Sequence, residues 1–163
     1  MNKKRLALFL ALTVIITCFI FYNSLKNSEE SNKASDVIEE IVEPIVEDIV
    51  GEEEFDTEYF VRKGAHITEF FILGLMVFNA LTSAVRDKRN LPCIFGYGLF
   101  YVLAVAVTDE FIQSFSDRTS SVIDVLIDFS GASAGFAVAT LVGLMVVKVK
   151  EKIRKGNNNG NQN

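Results

Sequence analysis

Four carboxylates, Asp109, Glu110, Asp124 and Asp128, stand at the facing ends of two long apolar runs, with Gln113, Arg118 and Ser121 between them. A fifth, Glu69, lies inside another apolar run three residues after His66, the only histidine, which itself follows Lys63 by three. These residue types suit two chemistries. In one, Arg62, Lys63 and Arg118 meet the phosphate of a polar headgroup while the acids orient them and contact sugar hydroxyls. In the other, His66 or one of Glu69, Asp109 and Asp124 serves as a general acid or base. Five acids against three bases leave a formal charge of −2 with His66 neutral, a crowding that suits proton transfer. Ionisable groups inside membrane-length apolar runs are costly, so by default they mark function. Buried ion pairs that merely lock helices together would also retain them. One histidine among acids is not a signature spacing for a metal, so neither a metal nor another cofactor is expected.

The elements that must position these groups are apolar runs from Leu6 to Tyr22, Ile67 to Val85, Cys93 to about Phe115, and Val122 to Val147. Each reaches or approaches the length a bilayer demands. Half of the 163 residues are hydrophobic and 14 are Phe, which excludes an ordinary soluble domain of this size. The expected fold is an all-α polytopic membrane protein with four transmembrane helices. Its net charge of −5 gives no reason to expect a nucleic-acid partner; the first partner is the lipid bilayer.

Charge placement sets the expected topology. Thirteen of the 21 acids lie between Asn23 and Ala65, whereas 11 of the 16 bases precede the first run, follow the second or follow the fourth. The positive-inside rule therefore puts both termini in the cytoplasm and the carboxylate cluster on the outer side. The first run has a basic start but no A-x-A-like cleavage site after it, which favours an uncleaved anchor over a signal peptide. It is apolar all round, and suits insertion and packing better than lining a site.

These signals divide the chain into an anchor (1–22), an acidic, partly disordered outer loop (23–62), a three-helix core (63–150) and a disordered cytoplasmic tail (151–163). Within the loop, Val37, Ile41, Ile45 and Ile49 recur every four residues among acids, interrupted by Pro44. That pattern reads as a solvated spacer, because surface-lying helices usually carry Lys and Arg on their polar face. Along the core, Lys63, His66 and Glu69 share one side of a helix, and Asp109 shares a face with Gln113. Continuing along the Asp124–Asp128 face brings Gly131 and Gly135, a G-x-x-x-G spacing that permits close helix approach. The acids thus point toward the bundle.

Taken in order, Lys63-x-x-His66-x-x-Glu69-Phe70 with Leu73-Gly74, then Asp109-Glu110-x-x-Gln113, then Arg118 with Ser121-x-x-Asp124-Val125 and Asp128-x-x-Gly131, resembles the VanZ-like membrane proteins. Phe21-Tyr22-Asn23-Ser24 resembles the stretch after their first helix. The resemblance covers about Phe19 to Gly135 and implies a small multi-pass protein of a bacterial cytoplasmic membrane, associated with resistance to teicoplanin-type glycopeptide antibiotics. It implies no particular reaction. Binding would fall to Lys63, His66, Glu69, Asp109, Glu110, Gln113, Arg118, Ser121, Asp124 and Asp128, and the partner would be a cell-envelope lipid or peptidoglycan precursor. The chain departs from that pattern in carrying Asp at 128, where Asn is expected, and in its long acidic first loop.

Overall fold

The computed structural model describes residues 3–26, 57–85, 91–115 and 121–160. The acidic repeat from Val37 to Val50, the basic turn at 86–90 and Arg118 lie outside the described residues. The described chain forms α1 (Lys3–Ser24), α2 (Thr57–Ala84), α3 (Leu91–Gln113) and α4 (Val122–Gly160), with no strand among the described residues. Each helix contains a segment long and apolar enough to cross a membrane: Lys3–Ser24, Val61–Ala84, Phe95–Gln113 and Val122–Arg154. In hydrocarbon every backbone polar group needs an internal partner, and a continuous helix provides one for each residue of its span. The protein is an all-α, multi-pass membrane protein.

Contacts at the helix ends fix the directions. Arg5, at the start of α1, donates a 2.8 Å hydrogen bond to Asn79 near the end of α2, whereas Asn23, at the end of α1, donates one of 2.8 Å to Glu69 nearer the start of α2. α1 and α2 are therefore antiparallel. α2 and α4 run in the same direction, since Ile67 and Phe71 meet Gly131 and Gly135 in that order.

This parallel pair is the tightest seam of the bundle. A Cβ on Gly74 would fall 2.0 Å from the Ala132 carbonyl oxygen, and one on Gly135 would fall 2.0 Å from that of Phe71. The two backbones touch, as small residues allow where no hydrophobic effect drives helices together. The seam holds the Lys63–His66–Glu69 side of α2 against the Asp124–Asp128 side of α4.

Below the polar end, the core is built from Ile20 of α1, Phe70, Leu73 and Val77 of α2, Val102 and Ala106 of α3, and Ala132 of α4. Toward the end where Arg5 lies, Phe78, Phe95 and Phe136 meet edge to face with ring centroids 5.1–6.1 Å apart. Val14, Ile15, Phe111, Leu126, Leu141 and Met145 are exposed on the outside, as lipid-facing side chains are.

Two boundaries differ from the sequence reading. α2 begins at Thr57, so the helix starts within the stretch assigned to the outer loop (23–62) and before the expected start of the core at Lys63. α4 continues to Gly160, so the tail expected to lack structure from residue 151 is helical over most of its length. Lys, Glu, Ile and Arg after Val147 are adequate helix formers, and extending an existing helix is far easier than starting one.

Candidate functional site

All four helices contribute polar side chains to one end of the bundle. Asp109, on the last turns of α3, is its fully buried centre. The Oγ of Ser24 donates to Asp109 Oδ1, and Gln113 Nε2 donates to Asp109 Oδ2 at 2.7 Å. Asp109 and Gln113 do share a face, one helical turn apart. His66 approaches from α2, with Nδ1 3.8 Å from Asp109 Oδ2, a separation too long for a hydrogen bond but close enough for an imidazolium and a carboxylate to attract.

Asn23 and Glu69 join α1 to α2 beside this centre. On the other flank, Lys63 Nζ lies 2.5 Å from Asp124 Oδ1, joining α2 to α4. Glu110 closes the turn between α3 and α4 by accepting the backbone N–H of Ser121 on Oε2 at 2.9 Å. Ser121 in turn caps α4, its carbonyl accepting from Asp124 N at 3.0 Å and its Oγ from Ile123 N at 3.1 Å. Asp128 lies one turn deeper than Asp124 on α4 and is 3 % exposed.

Burial is graded through this cluster. The Lys63 and Asp124 side chains are 19 % and 13 % exposed, whereas that of Asp109 is 0 %. An oppositely charged pair thus forms the outer rim over a floor of buried acceptors. One ring nitrogen of His66 and one oxygen each of Asp109 and Asp128 lie within 4.8 Å of one another, three groups able to ligate a cation. The sequence offered no spacing that would have singled out this trio.

Residues 9–143 match a family model described as VanZ/LLP1. The chain belongs to the VanZ/LLP1 family. No curated protein and no solved structure matches it. The family match begins within α1 and ends within α4, so it takes in all the helices that build the polar end.

For this VanZ/LLP1 chain, the structure brings together nine of the ten residues expected at the site, and the tenth, Arg118, lies outside the described residues. Sequence reasoning missed two more, Asn23 and Ser24. It treated α1 as an anchor, whereas the last turn of that helix reaches Glu69 and Asp109. Their signal was present in the two polar residues that end an otherwise apolar run, within the stretch already noted as VanZ-like.

Proposed function

We propose that the polar end of this VanZ-like protein binds, or modifies, the polar headgroup of a cell-envelope lipid or peptidoglycan precursor, and so lowers susceptibility to teicoplanin-type glycopeptides. The observation that carries the reading is the graded opening. The Lys63–Asp124 pair sits partly exposed at the rim, above buried carboxylate, amide and hydroxyl groups from α1, α3 and α4. Such a rim suits a group with both an anionic phosphate and donor hydroxyls. On the topology expected from the basic residues, this end faces outward, where precursors are assembled into the wall.

A catalytic version of the same reading is supported by the approach of His66 to Asp109. The carboxylate is fixed by Ser24 and Gln113, and would orient a His66 imidazole acting as general base toward a bound headgroup. Helix pinning alone accounts for the Asn23–Glu69, Ser24–Asp109 and Lys63–Asp124 contacts, but not for Asp128, which is buried among them and ties no helices together.

Glu69→Gln and Asp124→Asn separate these readings, since both keep size and remove charge. In a strain whose teicoplanin tolerance depends on this protein, each is expected to abolish the tolerance at near-normal membrane abundance. Glu47→Gln, in the acidic loop, is expected to change nothing. Full tolerance in both cluster variants would overturn the proposal, and tolerance falling in step with abundance would assign the acids to packing.

A further inference from the structure

We infer that His66, Asp109 and Asp128 form a buried site for one divalent cation of the zinc or manganese class. This goes beyond the headgroup reading and does not depend on it, because the ion needs only the three side chains.

The first observation is geometric. One potential ligand atom from each residue lies within 4.8 Å of the other two, and the three come from α2, α3 and α4. Around a zinc ion with nitrogen and oxygen ligands at about 2.0–2.2 Å, tetrahedral neighbours stand roughly 3.4 Å apart. His66 Nδ1 and Asp109 Oδ2 are already at 3.8 Å, so small side-chain rotations complete the set. One imidazole with two carboxylates suits zinc or manganese, whereas calcium and magnesium favour oxygen alone.

The second observation is Asp128 itself. It is 97 % buried, since only 3 % of it is exposed, yet among the described residues it makes no hydrogen bond or ion pair. An ionised carboxylate in that position has only Lys63 as an attractive neighbour against the like charges of Asp109, Glu110 and Asp124, and buried charges are ordinarily paired or bound to metal. Glu69 and Glu110, by contrast, already accept hydrogen bonds from Asn23 and from the Ser121 backbone.

One further feature fits. Asp109 is held on both oxygens by Ser24 and Gln113, the outer-shell support that metal-binding carboxylates generally have.

His66 is the only histidine, so a single imidazole reports on the site without ambiguity. The full-length protein, purified in detergent through a histidine-free affinity tag and stripped with chelator, is labelled with ¹⁵N-histidine and titrated with zinc or manganese salts alone. The expected result is a saturable shift of the imidazole signals with zinc, and broadening with manganese, complete at one equivalent. Asp128→Asn is expected to weaken that response at least tenfold while leaving helical content and metal-free melting unchanged. Gln113→Ala should weaken it about 10–100-fold, the usual effect of losing an outer-shell partner. An imidazole that does not respond, or responds equally in Asp128→Asn, overturns the proposal. So does metal held only by the acidic loop, which would bind without moving the His66 signals. Should Asp128→Asn fail to fold, the wild-type titration decides. Because no lipid or antibiotic is present, failure here leaves the headgroup reading untouched.

Discussion

Ser24 is a small residue with a large task. Its hydroxyl also contacts the Ile20 carbonyl, and it is fully buried against Asp109. Removing a buried donor leaves its acceptor short of a partner, at about 1–3 kcal/mol and more when the acceptor is charged. Ser24→Ala should therefore lower the melting temperature in detergent clearly. Asn23→Ala should lower it less, since Asn23 is only half-buried and water can replace its amide. The opposite order would mean that Asp109 does not depend on α1. At this scale the acids and His66 were legible in the sequence because charge inside an apolar run is expensive and therefore informative. Ser24 was not, because a hydroxyl costs little there and hides among lipid-compatible residues. Nor could spacing reveal that Lys63 pairs with Asp124, since the two lie on different helices.

Among the elements, the α2–α4 seam carries the closest approach. Gly135→Ala would set a methyl group 2.0 Å from the Phe71 carbonyl oxygen, forcing the helices apart. Overpacking of this kind costs about 1–3 kcal/mol. Gly96→Ala supplies the control, because a Cβ there meets nothing within 4 Å and alanine is the better helix former. Thermal unfolding should show Gly135→Ala destabilised and Gly96→Ala unchanged or slightly stabilised; equal behaviour would mean that the seam is loose. The G-x-x-x-G spacing made Gly131 and Gly135 readable as a packing face, but not its partner, which Gly74 and the α2 backbone provide. α1 was the least legible helix in its packing. With apolar residues all round, periodicity cannot say which side turns inward, and the buried side emerges only from where Ile20 and Ser24 settle.

At the level of the whole molecule, the antiparallel α1–α2 pair and the parallel α2–α4 pair put the start of α1 and the basic end of α4 at the end opposite the polar cluster. Lys3, Lys4, Arg5, Lys148, Lys150, Lys152 and Arg154 thus gather where the positive-inside rule expects the cytoplasm. With both native cysteines replaced by serine, Lys26→Cys should react in intact cells with a membrane-impermeant maleimide, and Lys150→Cys only after lysis. The reverse pattern would turn the site toward the cytoplasm and remove extracellular precursors from consideration. Helix number and the crowded end were readable from hydropathy and charge alone, whereas the order of neighbours needed the three-dimensional contacts.

The parallel seam between α2 and α4 also constrains how the protein is made. The partner faces are separated in the chain by all of α3, so Gly74 emerges from the ribosome well before Gly135. At ordinary synthesis rates that interval is roughly 3–12 s. During it the second helix is in the membrane with its glycine groove uncovered and Lys63 still lacking Asp124, and only the last helix can supply both contacts. A chain released too early would expose intramembrane charge, a feature by which membrane quality control can recognise it. The residues that make the site chemically useful would then also mark an unfinished chain.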